Sequence, residues 1–458
     1  MNLNSTVAAI STPHAAGGIS VIRISGEKAL EIADMVFSSA SGKKPSHMDG
    51  YTCAYGIYHD ENNNRIDDGI VSVFRAPKSY TGENVAELSC HGGIFVTEKL
   101  LQQIYSCGAA PAQAGEFTKR AFLNGKMNLT QAEAVMDIIS AEGEAYHKCA
   151  SALREGRLFK KISAVSDKLI HLLGEIAAWV DYPEDDIPEV DDENLKNTVN
   201  EIYSELKAIS ETYRYGKIIR EGIDTAIVGK PNVGKSTLMN LLAGCERSIV
   251  TDIAGTTRDI VEESVRLGDI VLRVSDTAGI RSTDDIIEGI GVERAVDRIK
   301  NAELVLAVFD GSSALDDDDL GMIEKCSQCK NKIALVNKSD KEKLLDIGKI
   351  SSAFDDIIEI SAKNGEGIEK LTKLLYNKYI GVLDAQDNVT VANERQKKCL
   401  DNAIKAMGEA VDAVAFGMTT DAVNIVLDEA ENYLLELTGE RTSEAVVNEV
   451  FSHFCVGK

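Results

Sequence analysis

The sequence predicts a multidomain chain: an N-terminal α+β domain, then an all-α helical domain in two chain segments with an α/β nucleotide-binding domain inserted between them. Three observations carry this. Apolar residues alternate in short runs up to about residue 120, then switch to a helical period from Leu129. The helical pattern stops near residue 213 and returns at 393 to 415 and 420 to 438. In the gap lies Gly229 to Ser236, Gly-Lys-Pro-Asn-Val-Gly-Lys-Ser, of the form GxxxxGKS. The expected divisions are 1–120 for the first domain, 121–217 and 380–458 for the helical one, and 218–379 for the insert.

In the first region Val7 to Ile10, Ile19 to Ile24, Cys53 to Tyr58 and Ile70 to Phe74 read as strands, and Lys28 to Phe37 and Phe95 to Tyr105 as helices. From Leu129 to Val180 the period is helical, with Ala132, Val135, Ile138 and Ile139 on one face and Ile162, Val165, Leu169 and Leu172 on a later one. Residues 196 to 213 continue it. Asp181 to Glu193 holds eight acids in thirteen residues with Pro183 and Pro188, a solvated loop between helices. Asp316 to Asp319 reads as the same on a smaller scale.

Composition bounds the function. At 458 residues the length suits about three domains. A net charge of −24 argues against a chain that wraps nucleic acid unaided. The surplus is uneven: residues 1 to 130 hold 11 basic and 12 acidic side chains, and the remainder 38 and 61. No membrane span or signal pattern is legible, and nine scattered cysteines do not form a disulfide framework, so a cytoplasmic protein is expected. Cys326 and Cys329 form a CxxC with no second pair or nearby histidine to complete a zinc site.

The insert carries the chemistry. GxxxxGKS follows the strand-like Asp224 to Val228 and precedes the helical Thr237 to Ala243, the setting of a phosphate-binding loop. Backbone N–H groups of Asn232-Val233-Gly234-Lys235-Ser236-Thr237 would close around phosphates, Lys235 would neutralise the β and γ groups, and Ser236 would hold Mg²⁺. Val271 to Ser275 delivers Asp276-Thr277-Ala278-Gly279 to the metal shell and γ-phosphate. The loop Thr251-Asp252-Ile253-Ala254-Gly255-Thr256-Thr257 lies between, with Thr257 placed as the switch threonine that completes the Mg²⁺ shell. Asn337-Lys338-Ser339-Asp340 follows an apolar run; the Asp340 carboxylate accepts from guanine's ring N–H and amino group, a donor pair adenine lacks. Ser361-Ala362-Lys363, after Ile357 to Ile360, supplies the backbone that reads the guanine carbonyl. The order is that of a Ras-like GTPase core. Ile280 follows Gly279, however, and an aliphatic side chain cannot orient water as the usual glutamine does.

Phe454-Cys455-Val456-Gly457-Lys458 forms a second site of interest. Spacing alone favours a disordered tail. Phe451 and Phe454 speak for docking, in which case Cys455 is either a thiolate nucleophile beside Lys458 or a buried, inert thiol.

Taken together, the chain resembles the MnmE (TrmE) family of tRNA-modification GTPases over nearly its full length. The residues that carry the resemblance are Ala8 to Pro13, Val21 to Gly26, Tyr80-Thr81-Gly82-Glu83, Cys90-His91-Gly92-Gly93, Gly115-Glu116-Phe117-Thr118, Arg120 to Lys126, Gln131-Ala132-Glu133-Ala134 and the final Cys455-Val456-Gly457-Lys458. Val456 stands where isoleucine is commoner. The resemblance implies a first domain that binds a tetrahydrofolate derivative (5,10-methylene or 5-formyl) and forms a homodimer, with Arg23, Glu87, Lys126 and Lys458 as folate contacts. It implies K⁺ at Asn232, Thr251, Ile253 and Thr256 in place of an arginine finger, and Glu288 as the catalytic acid acting through a second water. It also implies tRNA as substrate and an FAD-containing partner, MnmG, in modification of carbon 5 of the wobble uridine, with Cys455 serving catalysis or folate positioning. A ribosome-assembly or signalling GTPase would account for the nucleotide motifs equally well. It would leave the charge-balanced first domain and the last lysine unexplained.

Overall fold

The computed structural model describes residues 5–141, 143–181, 192–245, 262–275, 302–381 and 391–458. The chain divides into two compact units, one of Met1–Met136, Leu153–Leu206 and Lys398–Lys458, the other of Asp137–Ala152 and Lys207–Lys397.

The first unit is built on a seven-stranded sheet: β1 (Val7–Ile10), β2 (Ile19–Ser25), β3 (Phe37–Ser39), β4 (Thr52–His59), β5 (Arg65–Phe74), β6 (Val85–His91) and β7 (Ala110–Pro111), in the order β3-β4-β5-β6-β2-β1-β7. Neighbours are antiparallel except β1 with β7. Period-two alternation decides the faces. Ile22, Ile24, Val71, Val73 and Leu88 turn inward against Ile32, Val36, Leu100 and Ile104 from the helices Ala29–Val36 and Ile94–Ser106. Arg23 and Glu87, opposite each other in the β2–β6 register, take the other face. The helix expected to reach Phe37 stops at Val36 because Phe37 turns to extended geometry and opens β3. Three strands, β3, β6 and β7, have no counterpart among the expected ones.

Helices follow the sheet along the chain. The single helical stretch expected from Leu129 breaks into Leu129–Ser140, Glu144–Arg154 and Arg157–Asp181. Ile162, Val165, Leu169 and Leu172 are buried, and Arg157–Asp181 packs on Thr420–Thr438. On the earlier face Ala132 is buried but Ile139 is 47% exposed, since that helix ends one residue later.

The second unit holds a six-stranded sheet: β8 (Ile223–Val228), β9 (Glu262–Leu267), β10 (Ile270–Ser275), β11 (Leu304–Asp310), β12 (Lys332–Asn337) and β13 (Asp356–Glu359), ordered β13-β12-β11-β8-β10-β9. All pairs are parallel except β9 with β10. A parallel sheet is covered on both faces, so its strands read as unbroken apolar runs. Leu304 to Phe309 is buried at every position. Leu306 and Val308 enter one core with Leu238 and Leu371, while Ala307 and Phe309 enter another with Cys326, Cys329 and Phe354.

Candidate functional site

β8 ends at Val228, and the chain turns through Gly229 to Gly234 into the helix Lys235–Cys245. The turn needs unusual backbone: Asn232 has φ 63° and Gly234 φ 100°. At Gly234 a Cβ would strike the Asn337 amide, which only glycine avoids. Lys235 folds back, and its Nζ donates to the carbonyls of Gly229 at 2.6 Å and Lys230 at 2.7 Å. Burial pulls its pKa down, because a half-desolvated ammonium is less stable than one in water. Ser236 and Thr237 are exposed in the first turn of the helix, where free N–H groups and the helix dipole favour anions.

Three loops converge on this turn. Asn337, 3% exposed at the end of β12, donates from Nδ2 to Val233 O at 2.8 Å and accepts at Oδ1 from Ala362 N at 2.9 Å. Lys338, at φ 65°, donates from Nζ to Asn232 O at 3.1 Å and to Asp310 Oδ2 at 2.6 Å. Ser361 Oγ donates to Asp340 Oδ1 at 2.7 Å. That hydroxyl is the main reason the Asp340 carboxyl sits below the usual carboxylate range. Asp340 is thus an ionised acceptor at the exposed edge of the site, with Lys363 exposed nearby on the last loop.

The structure thereby gathers Asn232, Val233, Gly234, Lys235, Ser236, Thr237, Asn337, Lys338, Asp340, Ser361, Ala362 and Lys363 at the carboxyl ends of β8, β12 and β13. Thr251, Asp252, Ile253, Ala254, Gly255, Thr256, Thr257, Asp276, Thr277, Ala278, Gly279 and Glu288 lie outside the described residues.

One group went unread in the sequence. Asp316 to Asp319, expected as a solvated loop, instead caps the helix Asp317–Cys326 in a capping box, and both acids take Lys230 Nζ, at 2.7 and 2.8 Å. Donation from Lys230 lowers the Asp316 pKa to about 2. The legible signal was Asp-x-x-Asp ahead of a helical run.

In the first unit, Arg23 meets Glu87 across β2 and β6, Nε to Oε1 at 2.9 Å. The Arg23 guanidinium lies 5.3 Å from the Tyr80 ring centre and 5.4 Å from that of Phe117. Lys126, exposed, donates from Nζ to Pro77 O at 3.0 Å, on the loop that carries Tyr80. Phe117 N donates to Lys458 O at 3.0 Å. Of the four residues nominated for folate, Arg23 pairs with Glu87 and lies beside the Tyr80 and Phe117 rings, Lys126 reaches the loop that carries Tyr80, and Lys458 meets the Phe117 backbone through its main-chain oxygen. Alongside is a buried network in which the i,i+4 spacing of Glu116 and Arg120 was legible but the link to Glu83 was not. Arg120, 1% exposed, pairs with Glu116 at 2.7 Å and Glu83 at 3.1 Å, and Ser25 Oγ donates to Glu83 at 2.8 Å.

The tail is docked, against the expectation of disorder. Phe451 and Phe454 are buried beside Ala121, Met127, Leu129 and Ala132, and Gly115 N donates to Cys455 O at 3.3 Å. The docking energy comes from the two rings, 5.1 Å apart, and not from Cys455. That thiol is exposed, which removes the reading of it as buried and inert.

A glycine-rich loop entering a helix at the ends of parallel strands, braced by an Asn-Lys-x-Asp loop, defines a P-loop nucleotide-binding protein of the guanine-nucleotide class. Residues 129–455 match the family model described as the MnmE helical domain, and residues 6–126 match that of the GTP-binding protein TrmE N-terminus. The chain is 42% identical over 461 residues to the tRNA modification GTPase MnmE of Clostridioides difficile, with all of both chains covered. To the protein of that name from Carboxydothermus hydrogenoformans it is 41% identical, again with both chains covered in full. Among solved structures, Era in complex with MgGDPNP and 16S ribosomal RNA nucleotides is 29% identical across 34% of this chain and 56% of its own, with a TM-score of 0.26. The chain belongs to the MnmE family of tRNA modification GTPases, and it is an enzyme, a GTPase.

Proposed function

We propose that this chain is the GTP-hydrolysing component of a complex that modifies carbon 5 of the tRNA wobble uridine with an aminomethyl-type group. In this reading it draws a one-carbon unit from a tetrahydrofolate derivative, works with an FAD-containing partner of the MnmG type, and acts in the cytoplasm as a homodimer. Full-length similarity to the MnmE relatives supports the class of reaction. The observation that carries the folate part is Phe117, whose ring lies beside Arg23 and whose N–H holds Lys458. Arg23, the Glu87 carboxylate it pairs with and the Tyr80 and Phe117 faces are the kinds of group that a flat, polar pterin requires. The domain assignment follows: 1–120 for folate and dimerisation, 121–217 with 380–458 as the helical body, and 218–379 as the inserted GTPase.

In hydrolysis, Asp340 accepts from guanine and the 361–363 loop closes over the base. Lys235 neutralises the β and γ phosphates while backbone N–H groups of the loop orient them. Ser236, exposed at the head of its helix with a hard oxygen, fits Mg²⁺, with Thr257 as the second ligand. Of the proposed K⁺ ligands Asn232, Thr251, Ile253 and Thr256, Asn232 is the described one; it stands exposed at its left-handed φ within the phosphate loop. Glu288 holds the attacking water through a second one. A monovalent cation held there would supply charge that offsets what develops in the transition state.

Mass spectrometry of tRNA nucleosides from cells lacking the protein tests the reaction: the modified wobble uridine is expected to vanish, and an unchanged nucleoside profile would refute the assignment. Replacing K⁺ by Na⁺ is expected to cut GTP turnover by about tenfold or more, a loss on the order of 1.4 kcal/mol of barrier stabilisation. Equal rates in the two salts would eliminate the cation role.

A further inference from the structure

The phosphate loop carries a second lysine that the GxxxxGKS pattern leaves without a task. Lys230 reaches outward with its side chain to Asp316 and Asp319, while its own carbonyl accepts from Lys235 Nζ at 2.7 Å. The two acids are rigid. Asp316 Oδ1 accepts from Asp319 N at 3.0 Å and Asp319 Oδ2 from Asp316 N at 3.3 Å, so each is locked into the helix start. Asp319 is 2% exposed, and its Oδ1 is buried with no hydrogen-bond partner. Burial alone would lower the Lys230 pKa; donation to the two carboxylates outweighs it and raises the pKa, so the lysine is held charged.

The position matters more than the charge. The second half of the loop is fastened by Asn337 on Val233 O and Lys338 on Asn232 O. The first half contains Gly229, which lies so close to the Val308 carbonyl that a Cβ there would strike it. There the side chain of Lys230 makes the fastening contact to Asp316 and Asp319. The carbonyls of Gly229 and Lys230 determine where the Lys235 ammonium sits, and a carbonyl's direction follows the backbone torsions of its own residue.

We propose that Lys230 and Asp319 are a positioning pair for GTP hydrolysis: their ion pair holds the first half of the loop so that the Gly229 and Lys230 carbonyls aim the Lys235 ammonium at the phosphates. This rests on reading Lys235 as the phosphate-binding cation.

The test measures GTP turnover and thermal unfolding on the full chain. Lys230→Met is expected to lower kcat about tenfold, as small misplacements of a charged group do, and Lys230→Arg to restore most of it. Lys230→Met also strands a buried carboxylate, so the double variant Lys230→Met/Asp319→Asn removes both charges. It is expected to regain the wild-type melting temperature while kcat stays low. A kcat that recovers along with the melting temperature, or wild-type kcat and KM in Lys230→Met, would overturn the proposal. Lys235→Ala separates the two levels. If it hydrolyses GTP normally, the reading of the loop fails and the pair fails with it; if it is inactive while the Lys230 variants are normal, the pair alone is refuted.

Discussion

Asp340 is positioned by a neighbour twenty-one positions away. The Ser361 hydroxyl donates to its Oδ1 and lowers the carboxyl pKa, and a carboxylate faced with adenine would be left without donors. Glu431 shows the opposite environment. Its side chain is 6% exposed inside the helical body, Oε1 accepts from Ser166 Oγ, and Oε2 is buried without a hydrogen-bond partner. Burial is the chief cause that raises its pKa. A raised folded-state value means that stability is complete below the ordinary glutamate range and declines as pH rises through the folded pKa. Glu431→Gln keeps the acceptor for Ser166 and removes the ionisation. It is expected to melt with the wild type near pH 4 and above it at pH 7 to 8, in scans taken across that range; a lower melting temperature at pH 8 would show that the carboxylate is stabilising.

Among the elements, the segment after the last helix, Glu444–Ser452, matters most for the first unit. Gly457 has φ 95°, and a Cβ there would run into the Ile10 carbonyl. Ser11 Oγ, just past β1, also donates to Gly457 O at 3.1 Å, so a side-chain hydrogen bond holds the segment there. Gly457→Ala is expected to undock residues 455–458 without unfolding the sheet, since Phe451 and Phe454 remain buried. Calorimetric titration with 5-formyltetrahydrofolate should then lose most of its heat, as for Lys458→Ala, while GTP turnover of the isolated protein is unchanged. Full heat in Gly457→Ala would exclude this segment from the pocket. The strands and long helices were readable beforehand because one face of each is apolar at its own period. β3, β6 and β7 were not: β3 and β7 are three and two residues long, and β6, Val-Ala-Glu-Leu-Ser-Cys-His, alternates but went unread, its place decided by pairing with β2 and β5.

At the scale of the molecule, the two compact units predict separable unfolding. GDP at a hundred times its dissociation constant stabilises whatever binds it by about 2.7 kcal/mol. Calorimetry with GDP should raise one transition and leave the other in place, and a 5-formyltetrahydrofolate titration should do the reverse. A single transition raised by both ligands would contradict this. Among the described residues no helix is long and apolar enough to cross a membrane.

The sequence by itself determined the nucleotide chemistry, because phosphate and guanine recognition use short contiguous motifs in which backbone geometry and one or two side chains do the binding. It also determined where the helical period begins and resumes. Only the tertiary structure decided that Asp316 and Asp319 anchor Lys230, that Arg120 lies buried between Glu116 and Glu83, and that the last residues dock beside Phe117. Except for Glu116 and Arg120, four apart on one helix, those contacts join positions tens to hundreds of residues apart. Spacing carries no record of such pairs, since the desolvation and packing that select them exist only once the chain has folded.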